Sequence, residues 1–173
     1  MIALVPHPQM PAAGVRGVHA AAARTSHGML ALRYRIEGDL ERLRIPPPRT
    51  PAPGERLWHH LCCEVFVGPG SGSAYREFNF SPSGEWAAYA FERYREGAPL
   101  AVPDPGIALW REDGALELSA SVAVEPGRLR VGLCAVIEEG DGTLSPILSY
   151  WALRHPAPRP DFHHAAGFAL EVA

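Results

Sequence analysis

The residues best suited to chemistry crowd into one stretch, Leu57 to Phe91, which reads LWHHLCCEVFVGPGSGSAYREFNFSPSGEWAAYAF. In the run YREFNFS, alternation puts Tyr75, Glu77, Asn79 and Ser81 on one side and Arg76, Phe78 and Phe80 on the other. In the preceding run, CCEVFV, Cys62, Glu64 and Phe66 share a side. If the two runs pair as a hairpin, Glu64 joins the face of Glu77 and Asn79. A carboxylate accepts hydrogen bonds, and an amide both donates and accepts. Trp58, Trp86, Tyr89, Tyr150 and Trp151 offer apolar plates. A sugar needs this combination, because its ring face stacks on an aromatic ring while its edge hydroxyls meet planar polar groups. The expected pocket consists of Trp58, Glu64, Tyr75, Glu77, Asn79, Trp86 and Trp151. Taken singly, each also has a plain structural role, the aromatics as core and the carboxylates on a solvated sheet face.

A second polar group lies near the C-terminus, in SYWALRHPAPRPDFHH. Pro156, Pro158 and Pro160 lower the entropy cost of holding Arg154, Arg159, Asp161 and His163 in place. The segment reads as a stiff loop closing one end of the fold, with Arg154 and His163 added to the ligand-binding set. Asp161 also suits the N-cap of a short helical turn at 162–165.

Other chemistries find less support. His59, His60, His155, His163 and His164 with Cys62 and Cys63 lack any His-x-His, His-x-x-x-His or Cys-x-x-Cys spacing, so no metal is expected. Haem would need axial ligands on opposed walls, for which Met29 with one of the histidines is the available pair. Glu64 and Glu77 could stand at glycosidase-like separation. Cys62 or Cys63 with His59 or His60 would make a thiol-imidazole pair, without a visible oxyanion hole. There is no nucleophile elbow, phosphate loop or dinucleotide fingerprint. No catalytic residue and no cofactor is expected.

The elements that must position these residues are short strands. In MLALRYRIE (29–37), Leu30, Leu32, Tyr34 and Ile36 alternate with Ala31, Arg33 and Arg35; ALELSASVAV (115–124) and the run 128–138 alternate likewise around Glu125-Pro126-Gly127 and are expected to form an antiparallel hairpin. Further strands are expected at 62–67, 75–80, 85–91, 107–111, 147–152 and 168–172. Turn signals separate them at Gly38-Asp39, Gly68 to Gly72, Ser81 to Gly84, Asp113-Gly114, Gly140 to Gly142 and Pro156 to Pro160. The proline-rich segment 45–56 reads as a rigid crossover loop within one domain.

Composition agrees. The 173 residues include 17 Gly and 18 Pro, about a fifth of the chain against a typical share of roughly 12%, which argues against a helix bundle. Hydrophobic residues make up 47%, enough for one core. The 16 basic residues are all Arg, against 19 acidic ones and a net charge of -3, which gives no electrostatic case for nucleic acid or an anionic membrane. The first ten residues read as neither leader nor anchor, and three unpatterned cysteines suit free thiols in a reducing, cytoplasmic setting.

The blocks LWHHLCCEVFVG, YREFNFSPSGEWAAYAFERY and SYWALRHPAPRPDFHH with FALEV, in that order, resemble a bacterial DOMON-like family of small proteins related to the family 9 carbohydrate-binding modules. Trp58, Glu64 and Phe66 match the first block of those modules. Tyr75, Phe78 or Phe80, Asn79, Pro82 and Gly84 match the second more loosely, with Asn-Phe-Ser-Pro where the modules read Asn-Pro. His59, His60 and Leu61 replace their acidic positions before the cysteine. The resemblance implies an immunoglobulin-like β-sandwich with a pocket for a sugar or, in other DOMON domains, a haem.

The expectation is therefore a single antiparallel β-sandwich domain over residues 1–173 that binds a small molecule, a carbohydrate first, without catalysis. The alternative from another class is a structural or protein-interaction module, in which the Glu77 and Asn79 face is covered by another strand or a partner.

Overall fold

The computed structural model describes residues 1–140 and 145–173. The expected turn at Gly140 to Gly142 falls partly outside them. The strands are β1 (Ile2–Ala3), β2 (Val5–Pro6), β3 (Val15–Arg24), β4 (Met29–Gly38), β5 (Ala52–Pro53), β6 (Cys62–Pro69) and β7 (Tyr75–Phe80), then β8 (Glu85–Arg93), β9 (Glu96–Pro99), β10 (Ala108–Glu112), β11 (Ala115–Ala123), β12 (Leu129–Glu139), β13 (Ile147–Ala152) and β14 (Leu170–Val172). Two single-turn 3-10 helices, Leu57–His59 and Ala165–Gly167, interrupt them.

The strands form two sheets packed as a β-sandwich, the expected fold class. One has five strands in the order β1-β3-β4-β11-β10. The other runs β2-β13-β12-β6-β7-β8-β5, with β14 on the β13 side of β12 and β9 on β8. Pairing is antiparallel throughout these sheets apart from the short contact of β5 with β8. Among the described residues, no helix is long and apolar enough to cross a membrane.

Alternation decides which side chains fill the space between the sheets. Leu30, Leu32, Tyr34 and Ile36 of β4 and Leu116, Leu118, Ala120 and Val122 of β11 meet Cys63, Val65 and Val67 of β6, Phe78 and Phe80 of β7, and Leu129, Val131, Leu133, Ala135 and Ile137 of β12. Each such large side chain contributes roughly 1.5–3 kcal/mol by leaving water. The core thus forms on the two facing sides and leaves both outer faces available for other work. One polar tie crosses it: Tyr34, fully buried, donates from its hydroxyl to the backbone carbonyl of Glu64 at 2.7 Å.

Two expectations are corrected. The segments 115–124 and 128–138 do form strands, but β11 pairs with β4 and β10, whereas β12 pairs with β6, β13 and β14. The Glu125-Pro126-Gly127 turn therefore carries the chain from one sheet to the other, because each apolar face can be buried only against the opposite sheet. Residues 15–24 were not expected as a strand, yet they form β3, in which Val18, Ala20 and Ala22 face the core. The segment 45–56 does cross between sheets, leaving β4 of the first and reaching β5 of the second.

Candidate functional site

The outer face of the larger sheet holds the site. Pairing of β6 with β7 sets Glu64 opposite Asn79 and Phe66 opposite Glu77, so the two glutamates are diagonal neighbours on one face. Pairing of β7 with β8 adds Tyr89 beside Glu77 and Phe91 beside Tyr75. On the other side, β12 sets Cys134 beside Glu64 and β13 sets Tyr150 beside Val136. A cavity of about 340 Å³ opens over this face, walled by Trp58, Phe66, Tyr89, Phe91, Tyr150 and Phe162, with Glu64, Glu77, Arg95 and His163 supplying its polar groups. Trp58 leans edge-on to Tyr89 at 5.8 Å between ring centres. It stands on the 3-10 turn 57–59, whose Leu57 is anchored against Cys62 and Ala87.

The C-terminal loop, 153–169, folds over this outer face; it does not close an end of the sandwich. Phe162 and Phe168 pack on Phe66, Tyr75 and Phe91 in a second apolar cluster. Gly132 allows this, since a Cβ there would stand 2.9 Å from the Phe168 ring. At the other end, His155 Nε2 meets the carbonyl of Val5 at 2.8 Å. Asp161 binds the β8–β9 turn through Tyr94 at 2.8 Å and Arg95 at 3.0 Å, and Arg95 takes the left-handed backbone at φ 58. Asp161 also accepts from the His163 backbone at 3.1 Å, while the short helical turn begins later, capped by His164.

Hydrogen bonds fix the proton arrangement. The Tyr75 hydroxyl accepts from the Arg95 backbone N–H at 3.0 Å and faces His163 Nδ1 at 2.9 Å. His163 sits between the rings of Phe66 and Phe91, about 5 Å from each. Burial, with Arg95 nearby, lowers its pKa to about 4, so the ring is neutral at pH 7. Burial also keeps the Tyr75 phenol protonated, so it donates to Nδ1 and leaves the His163 proton on Nε2, 3.7 Å from Glu77 Oε2.

Both carboxyls are pushed toward the protonated form. Glu64 is 2% exposed, and burial raises its pKa well above the usual range, with the Glu77 charge adding to the rise. Glu77 is raised by burial too, but the Asn79 amide and Arg95 oppose the shift. Asn79 Nδ2 donates to Glu77 Oε1 at 2.8 Å. Among the described residues, Glu64 Oε1 and Asn79 Oδ1, both buried, have no hydrogen-bond partner. Two acceptor oxygens, one on the cavity floor and one behind it, are thus left without a donor.

Of the expected site residues, Trp58, Glu64, Glu77 and His163 line the cavity. Tyr75 and Asn79 stand behind them, holding His163 and Glu77. Trp86 and Trp151 do not belong to it: both lie in the core between the sheets, on the opposite side of their strands. Trp151 is next to Tyr150, so only one of the two can face outward, and it is Tyr150. Arg154 is exposed and lies outside the cavity. Phe66, Tyr89, Phe91, Arg95, Val136, Tyr150, Pro160 and Phe162 were missing from the expected set. Strand parity could have found several, since Phe66 shares the side of Glu64 and Tyr89 must oppose Trp86.

The remaining chemistries fare as follows. Among the described residues, no group of three or more His, Cys, Asp or Glu is placed to hold a metal ion. Met29 stands on the five-stranded sheet, paired with Ala123, away from His163. Cys62, Cys63 and Cys134 are free and buried, and burial pushes their thiols up, away from the thiolate a nucleophile requires. His60 is engaged by Glu138 at 2.8 Å.

No family model and no curated protein matches the chain. Among solved structures, the fold is similar to that of a "putative carbohydrate-binding protein" from Bacteroides uniformis ATCC 8492, with a TM-score of 0.66 and 18% sequence identity over 99% of this chain and 84% of the other.

Proposed function

We propose that the cavity on the outer face of the larger sheet binds a carbohydrate without transforming it, the whole chain acting as one binding domain. The observation that carries this reading is the pair of carboxyls, Glu64 and Glu77, in a cavity whose walls are aromatic, with Glu77 held from behind by the Asn79 amide. A sugar ring laid against Trp58 or Tyr150 would direct its hydroxyl donors to Glu64 and Glu77. The loop that folds over this face leaves a cavity beside these carboxyls, which favours a ligand over a purely structural role. The fold shared with the Bacteroides protein supports the same ligand class, and the reading includes kinship with DOMON-like domains and family 9 modules.

A glycan array followed by titration calorimetry tests it. Binding of a defined glycan that weakens at least tenfold in Glu77→Ala and Asn79→Ala is expected. Unchanged affinity in both variants would sink the site.

A further inference from the structure

The unpartnered carboxyl oxygen on the cavity floor says more about the ligand than that it is a sugar. Among the described residues, Glu64 Oε1 lacks a donor, as does Asn79 Oδ1 behind it, and Glu77 Oε2 lies 3.7 Å from His163 Nε2. A hydroxyl brings one donor, whereas an ammonium brings three together with a positive charge. Aromatic rings crowd the same space, with Trp58 and Tyr89 set at 70° to each other like two walls of a box. Ring faces attract a desolvated cation, and paired carboxyls complete such a seat. The competing cation, Arg95, is held by Asp161 at 3.0 Å and by the Tyr94 hydroxyl at 3.2 Å.

We infer that the sugar taken by this cavity carries a free amine, a hexosamine-type unit whose ammonium lies against Glu64 and Glu77 within the Trp58 and Tyr89 box. This rests on the carbohydrate reading and narrows it. It also has a proton signature. Burial pushes Glu64 toward its protonated form. When the ammonium arrives, the Glu64 carboxyl ionises to pair with it, and one proton passes to solvent.

The groups facing the two carboxyls leave this exchange to them. Tyr75 on β7, Tyr89 on β8 and Tyr150 on β13 are pushed up by burial, as are the thiols of Cys62 on β6 and Cys134 on β12. From the loops, His163 is pushed down to about 4, and Asp161 is held ionised by Tyr94 and Arg95 against the effect of burial.

Calorimetry at pH 6, in two buffers of different ionisation enthalpy, tests the inference with hexosamines, their parent hexoses and their N-acetyl derivatives, each as mono- and disaccharides. A hexosamine should bind at least tenfold more tightly than its hexose and N-acetyl counterparts, with net proton release. Glu64→Gln, which keeps the shape of the side chain, should abolish both the preference and the release. Equal binding of hexose and hexosamine, or binding without proton release in the wild-type protein, overturns the amine and leaves the carbohydrate reading standing. Failure of every sugar in the panel to bind overturns both.

Discussion

The two outer faces of the sandwich treat a buried glutamate in opposite ways. On the five-stranded sheet, Glu117 is 6% exposed, close to the 2% of Glu64 on the larger sheet. Glu117 is gripped by two guanidiniums, with Arg33 Nε at 2.8 Å and Arg35 Nη1 at 2.6 Å, and Arg35 extends the ladder to Glu37 and Glu112. These hydrogen bonds hold the carboxyls of Glu117 and Glu37 below the usual range. Among the described residues, Glu64 has no ion-pair partner and an oxygen without a hydrogen bond, and its pKa rises. A carboxylate kept for the fold is satisfied within the fold. One that the fold leaves unsatisfied beside a cavity is available to something else, and the cost of keeping it there is borne by stability.

The contrast can be tested by perturbing each face, and the largest effect should come from the cavity. Glu77→Ala removes a charged acceptor from the proposed ligand and should weaken glycan binding by about 1.5–3 kcal/mol, roughly ten- to a hundredfold in Kd by calorimetry.

Next are the opposed pH limbs of stability. Glu64 has a folded pKa above its unfolded value, so the folded state holds extra protons and stability falls as pH rises from the normal carboxyl range through the raised value. Glu64→Gln removes that limb. Its melting temperature should exceed the wild type's by at least about 2 °C at pH 8, with the difference closing near pH 4.5. On the acid side, His163 binds fewer protons folded than unfolded between pH 6.5 and about 4, so stability drops across that window; His163→Gln should flatten it in the same melting series.

Tyr34 links the two sheets, since it leaves the five-stranded one to hold the Glu64 carbonyl. Tyr34→Phe should cost about 1 kcal/mol in denaturant unfolding. Glu117→Gln should have the smallest effect. Its Arg33 partner is 59% exposed and solvent screens the pair, so the loss at pH 7 should be about 1 kcal/mol or less, vanishing in 1 M salt and below the carboxyl range.

How far the sequence foretold this molecule depended on what alternation can report. Period two reveals a strand and its faces, so β4, β11 and β12 were legible, as was the common side of Glu64, Glu77 and Asn79. It is blind where side chains are uniform, and the alanines of β3 hid that strand. It does not name a strand's partner either, so Glu125-Pro126-Gly127 looked like a hairpin turn when it crosses between sheets. Trp86 and Trp151 were misplaced because aromatic type was weighed above parity, although Tyr150 beside Trp151 already required a choice. The contribution of Arg95 and Phe162 depends on how a turn and a loop fold onto the sheet, which no local pattern records.

The most direct test of the central claim is titration of a glycan bound by the wild-type protein into Glu64→Gln and Glu117→Gln, two equal changes on opposite faces. Affinity that falls at least tenfold in Glu64→Gln and stays at the wild-type value in Glu117→Gln is the predicted result. Equal affinity in both variants, or a loss confined to Glu117→Gln, would contradict it.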